Sequence, residues 1–134
     1  MKLLSLKRIL IEQIYKNHGI AFHVAEKSVR DSIIHNGLDP KKYNDDITTD
    51  GNKVYVFLDK MWAIQYAKGY NDFLKIQGEP KRDFDIWQIN INGMKLEKDY
   101  GLNSSEDPAT DPSYCIIAPI NKKFIKLIQI IKAK

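Results

Sequence analysis

Cysteine is almost missing from this chain: Cys115 is the one thiol in 134 residues, which excludes an intrachain disulfide and a cysteine-rich zinc site. Long apolar runs are missing too, and nothing approaches the roughly 20 residues that a membrane helix needs. Leu3-Leu4-Ser5-Leu6 is cut by Lys7-Arg8 before it could form a secretory core. The expectation is a soluble protein of the reducing cytoplasm with no membrane partner. No internal repeat, low-complexity tract or Pro/Gly/Ser-rich linker divides the sequence, so residues 1–134 read as a single domain. Standard catalytic sets are absent as well. There is no G-x-S-x-G elbow, no P-loop, no G-x-G-x-x-G and no pair of histidines spaced for zinc.

What is present is globular. Apolar residues make up 43% and charged residues 28%, a balance that disordered or collagenous chains do not have. The net charge of +4 is modest and unevenly spread. Lys122, Lys123, Lys126, Lys132 and Lys134 crowd one end, whereas residues 97–111 carry Glu97, Asp99, Glu106, Asp107 and Asp111 against Lys98. A basic tail suits phosphate backbones, but an ordinary solvated face has the same composition.

The patterning predicts a mixed α+β chain. Leu3, Leu6, Leu10 and Ile14 form one stripe of an N-terminal amphipathic helix within residues 1–18, ahead of a core spanning 20–131. Residues 20–24 read as a strand with Phe22 and Val24 facing away from His23. A helix over 25–36 then ends at Gly37, with Leu38 placed for the apolar contact of a Schellman motif. Residues 40–52 form a loop whose Asp46, Thr48, Asp50 and Gly51 imitate a calcium loop but lack its closing Glu, since Phe57 stands there. Residues 53–58 are a β-prone run, and Asp59 caps a helix from 60 to about 68 with Trp62, Ala63, Tyr66 and Ala67 on one face. Beyond a polar loop over 68–83, Ile86 to Ile91 alternate as a strand. An acidic loop over 97–113, a strand from Tyr114 to Ala118, a turn over 119–123 and a closing strand or helix over 124–131 complete the reading.

Three side chains carry the chemical interest. His18 and His35 sit where a helix C-terminus welcomes them, but His23 lies mid-strand, where a polar ring needs a buried partner or a cleft. Tyr55, in Val54-Tyr55-Val56-Phe57, and Tyr66, one strand-to-helix step later, suit either a core or two walls of a slot for a flat ring. Trp62 reads as packing and Cys115 as an inert buried thiol.

The order of these parts resembles the His-Tyr-Glu branch of the ADP-ribosyltransferase superfamily, which includes diphtheria toxin and the poly(ADP-ribose) polymerases. The resemblance rests on His23, the helix closing in Gly37-Leu38, the strand Val54-Tyr55-Val56-Phe57 and the helix segment Ala63-Ile64-Gln65-Tyr66. It implies a split β-sandwich with NAD, the substrate, in a cleft between two small sheets. It further implies that His23 meets the ribose hydroxyls, that the Val24 backbone meets the carboxamide, and that Tyr55 and Tyr66 stack on the nicotinamide. Family chemistry cleaves the nicotinamide–ribose bond through an oxocarbenium-like state, which needs a carboxylate near the ribose.

The sequence departs from the family at two contacts. Ala63 stands where the family often has a Ser for the carboxamide, and Ser113 stands nearest the family's Glu. Asp111 or Glu106 would have to supply the carboxylate; ordinary loop polarity accounts for both equally, as it does for Asp99. Three functions therefore stand side by side: a mono-ADP-ribosyltransferase or NAD glycohydrolase with a protein or nucleic-acid acceptor, an inactive module binding a nucleotide or a partner, and an RNA 2′-phosphotransferase. The last resembles the chain least, because only Arg8, Arg30 and Arg82 are present to hold phosphate.

Overall fold

The β-branched and aromatic runs do form strands, and in the computed structural model they pair into one antiparallel sheet. The structure describes residues 19–40, 49–50, 53–98 and 113–133. Five strands are four to seven residues long: β1 (Ile20–Glu26), β3 (Lys53–Phe57), β4 (Phe84–Asn90), β6 (Ser113–Ile116) and β7 (Ile125–Ile131). Two are two-residue pieces, β2 (Thr49–Asp50) and β5 (Glu97–Lys98). The order across the sheet is β5-β6-β3-β1-β4-β7, with β2 added beside β3. Among the described residues there are two α-helices, α1 (Arg30–Asn36) and α2 (Lys60–Ile76).

Strand alternation builds two cores. Ala21, Ala25, Val54, Val56, Trp87, Ile89, Tyr114 and Ile116 line one face with Ile33 of α1, Leu38 and Ile120. Val24, Phe57, Phe84, Ile86 and Ile131 line the other, under Ala63, Ile64 and Ala67 of α2. Each cluster is removed from water, which is the main favourable term in a chain of this size.

Several boundaries differ from the sequence reading. β1 continues to Glu26, because residues 20 to 26 pair one for one with Asn90 to Phe84 of β4. The following helix accordingly starts late, as a 3-10 turn over Lys27–Val29 that leads into α1 at Arg30. No Schellman motif forms at Gly37. Its φ of 74° comes with ψ of −160°, and Leu38 exchanges backbone hydrogen bonds with Ile120 instead, at 3.0 and 2.7 Å. A Cβ at Gly37 would lie 2.2 Å from the Ile120 carbonyl oxygen, so the crossing of these segments needs a residue without one.

α2 is longer than expected. The apolar spacing runs on from Ala67 through Asn71 to Leu74, and this buried stripe outweighs the exposed Gly69 that a propensity argument treats as a stop. Asp59 caps it as predicted, accepting from the Met61 N–H at 2.7 Å. The Schellman motif lies at this helix's other end: Glu79 N–H donates to Leu74 O and Gly78 N–H to Lys75 O, with Gly78 at φ 75°. Trp62 is 47% exposed rather than packed, since the face that meets the sheet passes through Ala63 and Ile64. The strand expected over 114–118 is shifted to Ser113–Ile116, and the closing segment is a strand, β7, preceded by a 3-10 turn at Lys122–Phe124. The N-terminal helix, most of the loop over 40–52 and the segment 99–112 lie outside the described residues.

The two glycines give opposite expectations. Gly37→Ala should lower stability by more than about 2 kcal/mol, because backbone rather than a side chain must yield. Gly69→Ala should raise it by about 0.5–1 kcal/mol, as the position is helical with nothing within 4 Å of the added methyl. Urea midpoints at constant m-value test both.

Candidate functional site

The sheet has one thin seam, and it runs between β1 and β3. β3 is paired along one edge with β6, from Val54↔Ile116 to Phe57↔Ser113. Its other edge is shared: Phe57 pairs with Phe22 of β1, while Lys53 and Val54 pair with Asp50 and Thr49 of β2. Between those partners lie Tyr55 and Val56. The fork is closed by a side chain, because the His23 Nδ1–H donates to the Tyr55 carbonyl oxygen at 2.7 Å. A carbonyl has no proton to give, so Nδ1 carries the hydrogen; when the ring is neutral, Nε2 is left as the acceptor.

His23 has the buried partner that its mid-strand position demands, and it has no exposed surface. Alternation sets it with Ala21 and Ala25, directly opposite Trp87 on β4. Trp87 Nε1 is buried and has no hydrogen-bond partner among the described residues. Val24 is fully buried in the opposite core, and its cross-strand partner on β4 is Ile86.

Tyr55 alternates with Val54 and Val56 and thus shares the side of Phe57, the side that α2 covers. It is 6% exposed and lies opposite Cys115, itself buried as expected. Tyr66, on α2, is half-buried; its ring lies 5.5 Å from Phe57 and 6.5 Å from Tyr70, which in turn meets Phe84 edge-on at 5.8 Å. The two tyrosines therefore occupy one side of the sheet and the imidazole the other. His23 and Tyr55 are joined through a backbone carbonyl rather than through their rings. Asp111 and Glu106, the candidate carboxylates, lie outside the described residues, as do His18 and Asp99. His35 sits at the C-terminal turn of α1, its Nδ1–H donating to Asp31 O at 2.7 Å.

Sequence reasoning missed a polar frame where β4 begins. Asp85 is fully buried and takes both Arg30 Nε–H and Nη2–H, at 2.8 and 2.7 Å. This bidentate geometry is the strong form of an ion pair. Asn71, buried on α2, donates to Arg82 O and accepts from Arg82 N–H at 2.9 and 2.8 Å, as a strand would. Asp83 Oδ1 accepts from Ala133 N–H at 2.7 Å. A charge just ahead of the Ile86–Ile91 alternation was the available signal for Asp85, hidden because β4 begins two residues earlier than the alternation does.

Comparison with protein-family models and with curated proteins finds no match for this chain.

His23 should therefore be a structural keystone as well as a site candidate. His23→Leu removes this buried hydrogen bond and should cost about 1–3 kcal/mol, whereas His23→Gln, which keeps a donor, should recover part of the loss. Chemical denaturation, with amide exchange at β3 as a local readout, checks this expectation.

Proposed function

We propose that the chain is a small ADP-ribosyltransferase-like domain that takes NAD as substrate and passes ADP-ribose to a macromolecular acceptor or to water. The observation that supports this reading best is the fork. The histidine of the first motif is hydrogen-bonded to the backbone of the tyrosine in the second, at the one place where the sheet divides. The pattern that suggested the family is thus a physically connected pair, although 32 residues separate its members.

In this reading the nicotinamide lies on the α2 side of the sheet, against the Tyr55 and Tyr66 rings. Stacking would hold the leaving ring in line while the bond stretches. His23 acts as a positioning residue, fixing the strand that carries Tyr55. The nicotinamide–ribose bond breaks with its electron pair leaving on the nicotinamide. The acceptor's lone pair then forms the new bond to the ribose carbon, and its proton passes to a carboxylate or to water. Asp111 and Glu106 are the proposed carboxylates that stabilise the positive charge developing on the ribose.

One observation favours the non-catalytic alternative on the same frame: His23 is wholly enclosed and Tyr55 nearly so, which suits a module that binds without turnover. Release of free nicotinamide from NAD, with cell lysate as acceptor, separates the two. The enzyme reading expects release that falls at least about tenfold in Tyr66→Ala and in Asp111→Ala or Glu106→Ala. NAD binding in calorimetry with no nicotinamide release supports the binding module, and absence of both removes NAD from the account.

A further inference from the structure

A second site lies at the edge of the sheet where β7 ends beside β4, and it does not depend on the reading of NAD chemistry. A cavity of about 520 Å³ opens there between α2 and the end of β7, bordered by Lys68, Lys81 and Lys132 and by the one carboxylate Asp72, with Ile130 and Ile131 alongside. None of the three lysines forms an ion pair with a carboxylate among the described residues. Two net positive charges thus face one opening beside an apolar patch.

The backbone that carries these lysines is held in place. The segment bearing Lys81 is clamped to α2 by the paired Asn71–Arg82 hydrogen bonds. Lys132 follows β7, whose end is tied to β4 by Ala133 N–H to Asp83 Oδ1. Lys68 stands on α2 itself, one helical turn ahead of Asp72. Three separate chain segments are therefore fixed around the cavity, and their ammonium groups repel one another until an anion enters. Nearby negative charge is already engaged: Glu26 binds Arg82 and Asp83 binds the β7 end.

We propose that this cavity is a binding site for a small phosphate monoester, with the phosphate dianion held among Lys68, Lys81 and Lys132 and an attached flat or apolar group resting on Ile130 and Ile131. A dianion matches the net charge of the lining, and the volume accommodates a group the size of a mononucleotide.

The test is calorimetric titration of the full-length protein with AMP and, separately, with inorganic phosphate at fixed ionic strength. Lys81→Ala and Lys132→Ala should each weaken AMP about tenfold, and Asp72→Asn should tighten it. Ile130→Ser should weaken AMP but leave inorganic phosphate unchanged. Unaltered urea midpoints establish that these surface variants fold. The proposal is overturned if the lysine variants bind AMP as the wild type does, or if neither probe binds. It is equally overturned if AMP binding is lost in Tyr66→Ala and indifferent to the lysines, which would place the nucleotide on the aromatic side of α2.

Discussion

An imidazole–carbonyl hydrogen bond ties β1 to β3 in the middle of the sheet. On one side β1, β4 and β7 form an antiparallel group, with a register shift against β7 between Ile86 and Trp87; on the other, β3 pairs with β6 and β2. The Tyr55 carbonyl accepts from the Nδ1–H of His23 on the neighbouring strand, at 2.7 Å. A buried carbonyl left unpaired costs as much as a lost hydrogen bond and more. His23 thus adds a side-chain donor to the seam between β1 and β3. The arrangement lets the strands diverge without leaving the interior polar.

On β4, on the other side of β1, a second buried polar group is handled with charge. Asp85 is buried on β4, where a lone carboxylate would be expensive, and Arg30 covers both of its oxygens. Its hydrogen bond to Asp85 raises the Arg30 guanidinium above its ordinary value, burial opposes this, and the charges of Asp85, Asp31 and Asp83 add to it. A raised value on a cation means that the pair's contribution is fully present below the ordinary arginine range. It is lost only as pH climbs beyond that range, so nothing between acid and mild alkali removes the proton from Arg30. Asn71 and Asp83 extend this frame by bonding backbone groups that lie beyond the reach of the strand ladders. These two side chains thereby set where the segment bearing Lys81 lies relative to α2 and where the end of β7 lies relative to β4.

Much of this was legible from local pattern. The β-prone run of β3, the Asp59 cap, the alternation of β4 and the isolation of His23 all follow from residue type and spacing, because each is decided by neighbours in sequence. What escaped is decided by distant partners. α2 passes through Gly69 because its buried stripe continues to Leu74, and no local propensity reports that the sheet lies beneath. Gly37 reads as a helix stop in either setting, yet whether Leu38 turns back on the helix or crosses to Ile120 depends on a segment more than 80 residues away. His23 announced that it needed a partner; that the partner would be the carbonyl of Tyr55, not a ligand or another side chain, is a property of register.

That register also determines what the three candidate residues can do together. Were they to converge, all three would have to face one side of the sheet; instead the parity of β1 and β3 sets the imidazole against Trp87 and the phenols toward α2. Coupling between them is therefore mechanical. A change at His23 reaches a ligand only by moving the strand that carries Tyr55, while a change at Tyr66 acts directly through a surface that is still half-open. The aromatic row from Phe57 through Tyr66 and Tyr70 to Phe84 is built of tilted and edge-on pairs at 5.5–6.5 Å, so its half-buried members still offer ring surface to a flat group. In the proposed reading, recognition of a planar ligand falls to the α2 side and the stiffness behind it to the histidine side. On that reading a fully enclosed imidazole and a half-buried tyrosine would serve one site in this way.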